Sequence, residues 1–172
     1  MTPNNSKPVF LIGFMGSGKT TWGRKLAHKT GRVFIDLDDE IVNEAGMPIP
    51  DYFAEHGEEE FRKLESRVLK NLPLNQPAVV AAGGGTPCYF DNMAWMNKNG
   101  KTIYLHIPAK ALWSRLMQTD IATRPALGGL TGKALLDDIT AKLAARTPHY
   151  QQATHIVDQL SMRLDDLISL SK

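Results

Sequence analysis

The chain has 172 residues, 42% of them hydrophobic and 22% charged, and a formal net charge of +2. That length suits one domain with its own core, and no apolar run approaches the roughly 18 residues of a membrane-spanning helix. The small charge, with lysines and arginines scattered, gives no sign of a nucleic-acid footprint, and Cys88 as the single cysteine excludes an internal disulfide or a multi-cysteine metal site. The expected protein is a soluble, cytoplasmic monomer that binds neither nucleic acid nor membrane.

In chain order, residues 1–7 are polar and read as a short disordered tail. Short apolar or β-branched runs follow at 9–12, 33–37, 78–82, 102–107 and 155–157, separated by segments with helical spacing such as Phe61, Leu64, Val68, Leu69 and Leu72. Gly31 and Gly100 are placed as helix stops. The alternation predicts βαβ units and a mainly parallel sheet covered on both faces. Two stretches depart from it. Residues 39–72 are long for one crossover and are interrupted by Pro48, Pro50 and Gly57, which predicts several helices in an insertion. Residues 119–133 are rich in Gly, Thr and small residues and read as a mobile lid.

Gly13-Phe14-Met15-Gly16-Ser17-Gly18-Lys19-Thr20 matches the phosphate-loop pattern G-x-x-x-x-G-K-[ST] and lies between the first strand and a helical segment at 21–29. The glycines allow backbone N–H groups to turn inward on phosphates, and the helix N-terminus adds positive potential. Gly16, Ser17, Gly18, Lys19, Thr20 and Thr21 are therefore the candidate ATP site, with Lys19 reaching the β and γ oxygens and Thr20 on magnesium. The later string from Gly128 to Ala134 is one residue short and has alanine in place of the metal-binding hydroxyl, so it belongs with the lid.

Asp36 and Asp38 close the second strand, where a period of two residues sets them on one face. One carboxylate suits a magnesium shell and the other a proton acceptor, while helix capping by Asp38 or Asp39 is the competing use. Gly83-Gly84-Gly85 permits close backbone approach to a ligand. Arg62, Arg124 and Arg146 are, taken singly, as well explained by surface salt bridges.

Taken together, the phosphate loop, Asp36-Leu37-Asp38, Gly57-Glu58-Glu59-Glu60-Phe61-Arg62, the glycine triplet, Arg124-Pro125 and Arg146-Thr147-Pro148-His149-Tyr150 resemble the shikimate kinases from residue 9 to about 158. The resemblance implies a single P-loop α/β/α domain over residues 1–172, with five parallel strands in the order 2-3-1-4-5, and ATP-dependent phosphorylation of the shikimate 3-hydroxyl with Mg2+. It implies that Asp38 holds the diol and assists deprotonation, Asp36 lies near magnesium, Arg62 and Arg146 grip the carboxylate, Gly84 offers backbone contact and Arg124 descends with the lid onto the phosphates. Two positions depart from the pattern: Ala82 stands where a hydroxyl residue is usual, and Met117 stands where an adenine-stacking arginine is expected, with Arg115 two residues away. The alternatives are another small-metabolite kinase, for gluconate or a nucleoside monophosphate, or an ATP-sensing module without chemistry.

Overall fold

The computed structural model describes residues 6–118 and 128–172. Five strands, β1 (Val9–Ile12), β2 (Val33–Asp36), β3 (Ala78–Ala81), β4 (Lys101–His106) and β5 (His155–Asp158), form one sheet in the order β2-β3-β1-β4-β5. Every pairing is parallel. The helices are α1 (Lys19–Thr30), α2 (Leu37–Ala45), α3 (Ile49–Lys70), α4 (Asn92–Asn99), α5 (Ala109–Met117), α6 (Gly132–Tyr150) and α7 (Leu164–Ser171), with a short 3₁₀ turn at Thr86–Cys88.

The uninterrupted apolar strands follow from burial on both faces. In β1 all four residues are fully buried: Val9 and Leu11 pack toward α1 and α7, whereas Phe10 and Ile12 pack toward α3 and α4. A third apolar cluster, Phe14, Ile107, Leu112, Leu116, Leu135 and Ile139, joins α5 to α6 beside the phosphate loop. The insertion between β2 and β3 consists of α2 and α3. Gly57 leaves helical geometry at φ 82 and ψ 173 inside α3, a left-handed φ that L side chains disfavour, so α3 bends there.

The strand register sets the site. Leu11 pairs with Ala81, and Ala81 in turn with Asp36, so β1, β3 and β2 end almost level. The three segments that follow them, the phosphate loop, the glycine triplet and the start of α2, therefore emerge side by side at the carboxyl edge, the ligand-binding edge of open α/β sheets.

Two differences from the sequence-based expectation bear on the site. The second strand stops at Asp36, because the Asp36 carboxylate accepts a hydrogen bond from the Asp38 N–H at 3.0 Å and caps α2. Asp38 thus stands in the first turn of a helix, and strand periodicity does not place it. The lid stretch at 119–133 overlaps α6, which begins at Gly132; residues 119–127, Arg124 among them, lie outside the described residues, as do residues 1–5 of the tail. Within the remainder of that tail, the Lys7 carbonyl accepts from Arg32 Nη1 at 3.0 Å.

Gly100 ends α4 and enters β4 with extended backbone. A Cβ there would fall inside van der Waals contact with the Pro8 carbonyl and 2.7 Å from Phe10 Cε2. Gly100→Ala should therefore cost about 1–3 kcal/mol through overpacking, lowering the melting temperature by roughly 2–10 °C. An unchanged melting temperature would show that β1 and β4 are less tightly joined than described.

Candidate active site

The phosphate loop turns on glycines: Gly13, Gly16 and Gly18 have φ of 149°, 81° and 87°. Gly18 precedes α1, whose N-terminus opens toward the loop interior. Lys19 is 9% exposed, and its ammonium donates to the Gly13 and Phe14 carbonyls at 2.7 and 2.8 Å and to Ser17 Oγ at 3.4 Å. The cation is thus held over the loop by the loop's own backbone. Ser17 is fully buried, whereas Thr20 and Thr21 are exposed at the start of α1.

Thr20 Oγ1 donates to Asp36 Oδ2 at 2.9 Å, which joins α1 to the end of β2. A hydroxyl and a carboxylate are hard oxygen donors of the kind magnesium prefers, and that ion is usually held by one or two protein groups together with waters and phosphate oxygens. The pair fits such an ion. Among the described residues no group of three or more His, Cys, Asp and Glu is gathered in one place, so an ion at this point would depend on a nucleotide's oxygens.

Asp38 stands between two cavities. One, of about 280 Å³, is lined by the loop residues Gly16, Gly18, Lys19, Thr20 and Thr21 with Asp36. The other, of about 450 Å³, is walled by Val42, Ile49, Phe53 and Phe61 and carries Arg62, Glu65 and Arg146. Met15, Asp38, Gly83 and Gly84 line both. The Asp38 carboxylate is reached by solvent through the cleft but has protein on most sides. That burial, with Asp36 and Glu65 adding to it and Lys19 opposing, pushes its pKa up to about 6.

Each glycine of the triplet lies against a different charged side chain. A Cβ on Gly83 would meet Glu65 Oε2 at 2.9 Å and Asp38 Oδ1 at 3.6 Å. On Gly84 it would meet Arg146 Nη1 at 3.3 Å, and on Gly85 Arg62 Nη1 at 2.6 Å. Side chains at these positions would displace the very groups that fill the larger cavity.

Arg62 is 8% exposed. Its Nη1 donates to Glu65 Oε1 at 3.0 Å, its Nη2 to Glu58 Oε1 at 3.3 Å, and its guanidinium lies 4.3 Å from the Tyr89 ring centre. Glu65, which is 1% exposed, also accepts from Thr86 Oγ1 at 2.8 Å. Burial raises the Glu65 pKa, opposed by Arg62 and Thr86; burial opposes ionisation of Arg62, yet Glu65, Tyr89 and Glu58 raise its pKa on balance. Arg146 is half-buried on α6, 5.3 Å from the Phe14 ring centre, and its Nη1 is buried with no hydrogen-bond partner among the described residues. A buried, unpaired cationic donor is costly, and here it belongs to the wall of the larger cavity.

The fold therefore brings together Lys19, Thr20, Asp36, Asp38, Arg62, Gly84 and Arg146. Glu65 was missed by sequence reasoning, although its place three residues after Arg62 on one helix was a usable signal. Tyr150 carried no assigned role and proves to donate to the Gly84 carbonyl at 2.5 Å. Arg115 is engaged at the phosphate loop, with Nη1 to the Gly16 carbonyl at 3.3 Å and Nη2 to Gln159 Oε1 at 2.8 Å. Ala82 is buried just after β3, where its N–H donates to the Leu11 carbonyl at 3.1 Å and its methyl side chain brings no polar contact, and Cys88 is a half-buried thiol whose pKa burial raises.

A family model described as shikimate kinase matches residues 15–168. A shikimate kinase of Parabacteroides distasonis is 41% identical over 156 residues, covering 91% of this chain and 90% of that protein. The chain belongs to the shikimate kinase family. Among solved members of that family, the Bacteroides thetaiotaomicron shikimate kinase matches with a TM-score of 0.86 at 36% identity, covering 95% of this chain and 94% of that one. The Acinetobacter baumannii shikimate kinase, in complex with shikimate, matches with a TM-score of 0.84 at 31% identity over 96% and 90% of the two chains.

The electrostatics can be tested without turnover. Followed by carbon-13 NMR, the Asp38 carboxyl should titrate near pH 6. Glu65→Gln should move that midpoint down, since one carboxylate that opposes ionisation is gone, and Lys19→Ala should move it up. Because the folded pKa lies above the unfolded value, Asp38 contributes stability that is fully present below about pH 4 and lost as pH rises through about 6. A midpoint in the usual carboxylate range would contradict this description of the cleft.

Proposed function

We propose that this protein transfers the γ-phosphoryl group of ATP to the 3-hydroxyl of shikimate, giving shikimate 3-phosphate and ADP. The observation that carries the reading is the meeting of a phosphate-loop cavity and a doubly cationic cavity at Asp38. One side suits a triphosphate and the other a small hydroxy acid, with a single carboxylate at their junction. The family resemblance and the shikimate-bound relative support the choice of acceptor.

In this mechanism the loop from Gly16 to Thr21 binds ATP through backbone N–H groups, and Lys19 gives up its carbonyl partners for β and γ oxygens. Thr20 and Asp36 would hold magnesium, which would neutralise phosphate charge. Arg62 and Arg146 take the substrate carboxylate, and the planar guanidinium favours this because it supplies parallel donors to two oxygens. The apolar side chains of Ile49, Phe53 and Phe61 cover the ring, the Gly84 backbone lies beside it, and Asp38 holds the hydroxyl and accepts its proton as the oxygen attacks. A pKa near 6 leaves Asp38 mostly ionised at neutral pH while keeping it more basic than an ordinary aspartate. Arg124, on the proposed lid, would meet transition-state charge on closure and limit hydrolysis of ATP. The reading extends to one domain acting as a monomer, and ATP as cosubstrate favours a cytoplasmic setting.

Two guanidiniums in one small cavity favour a carboxylic acid over gluconate-like polyols or nucleoside monophosphates, whose recognition would not require both on the same wall. A coupled ADP-release assay tests the proposal. ADP should appear when shikimate is added and not without an acceptor; release without one would indicate a different reaction. Asp38→Asn preserves size and should lower turnover by about 10²- to 10⁴-fold with ATP affinity nearly unchanged. Near-normal turnover in that variant would remove Asp38 from the mechanism.

A further inference from the structure

The glycine triplet poses a problem that its own sequence does not solve. Three consecutive residues without Cβ atoms are needed so that Glu65, Arg146 and Arg62 can approach the backbone, yet such a run is the most flexible backbone available. Something must hold it, and its carbonyls show what does. The Gly83 carbonyl accepts from the Thr86 N–H at 3.1 Å and the Gly85 carbonyl from the Cys88 N–H at 3.0 Å, both within the following 3₁₀ turn. The middle carbonyl, that of Gly84, accepts from the Tyr150 phenol at 2.5 Å, across 66 residues of chain.

We propose that Tyr150 is a positioning residue for acceptor binding: by occupying the Gly84 carbonyl it fixes the middle of the triplet, and from the same helical turn it sets where the Arg146 guanidinium stands to bind the substrate carboxylate. Three observations bear on this. With all three carbonyls engaged inside the protein, the triplet has no free backbone acceptor to turn toward an anion, and the backbone groups left for a ligand are donors. Arg146 Nη1 is buried, without a hydrogen-bond partner among the described residues, and only 3.3 Å from where a Gly84 Cβ would stand, so the conformation of Gly84 bears directly on where that cation can stand. Tyr150 is itself firmly packed: it is fully buried, its ring lies 4.9 Å from that of Tyr104, and it follows Arg146 by four residues on α6, so one helical turn carries both the cation and the group that positions it. Burial raises the phenol pKa well above its ordinary value, with Arg146 opposing, which keeps it a neutral donor at any working pH.

The proposal rests on shikimate being the acceptor. Its test is Tyr150→Phe, which retains the ring and its stacking and deletes only the O–H, measured by steady-state kinetics against each substrate and by thermal melting. The expected result is a rise of about tenfold in KM for shikimate, a size typical of losing one buried hydrogen bond, with KM for ATP within twofold and kcat within threefold of wild type. A shikimate KM within twofold of wild type overturns the proposal. So does a rise in both KM values together with a large fall in melting temperature, which would mark Tyr150 as a core residue only. In the double variant with Arg146→Lys, the two losses in shikimate affinity should be less than additive, because Tyr150 acts through Arg146; fully additive losses also overturn it. Wild-type protein that does not phosphorylate shikimate sinks the acceptor assignment itself, a failure distinct from a normal wild type with an indifferent Tyr150→Phe.

Discussion

Arg62 and Glu65 form an ion pair almost withdrawn from water, and the rest of the site is arranged around keeping it there. Desolvating two charges is unfavourable unless further hydrogen bonds surround them. The surroundings are present: Thr86 Oγ1 donates to Glu65, Asn92 donates to the Thr86 carbonyl at 2.9 Å, and Ser66 donates to Asn92 at 2.7 Å. All of these residues are buried, so α3, the 3₁₀ turn and α4 are joined through one polar seam inside an otherwise apolar layer. The glycine triplet follows from the same constraint, since a backbone bearing side chains could not pass so close to two guanidiniums and two carboxylates.

This arrangement separates the two halves of the proposed chemistry. The nucleotide side is built from backbone geometry and one lysine held by the loop's own carbonyls, and its parts are adjacent in sequence. The acceptor side is built from side chains on α2, α3 and α6 that meet only because the strands end level. Asp38 belongs to both sides, and its raised pKa follows from that location: it is close to Asp36 on the nucleotide side and to Glu65 on the acceptor side, with only Lys19 to offset them.

The difference in locality accounts for what the sequence discloses. Phosphate-loop glycines and the helical insertion were legible because each depends on short-range patterns or on a motif with fixed spacing, whereas strand order, a long-range property, came only with the family resemblance; strand limits differ from expectation by a residue or so at most. Asp36 and Asp38 were identified as a pair, and Asp36 does end β2, but Asp38 stands on α2 and not on the strand, because a capping hydrogen bond two residues long competes with strand periodicity and wins. Glu65 belongs to no motif, and only folding shows it buried against Arg62. Tyr150 was visible in its motif, but the partner that gives it meaning lies 66 residues away, and nothing local marks it. Arg115 stands in sequence two residues from the place of an adenine-stacking arginine, and only the packing of α5 against the phosphate loop shows that its guanidinium is engaged with Gly16 and Gln159.

The central claim is that the absence of a side chain at the triplet shapes the acceptor site, and Gly85 tests it most directly. Its backbone, at φ −90 and ψ −13, accepts alanine without strain, so the new Cβ would act only on the Arg62 guanidinium 2.6 Å away. That group is the end of a flexible side chain and can be displaced while the fold survives. Calorimetric titration of Gly85→Ala should show shikimate affinity reduced at least tenfold and ADP affinity within twofold of wild type, in a protein that melts cooperatively but at a lower temperature because the Arg62–Glu65 pair is disturbed. Unaltered shikimate affinity in the folded variant would contradict the account.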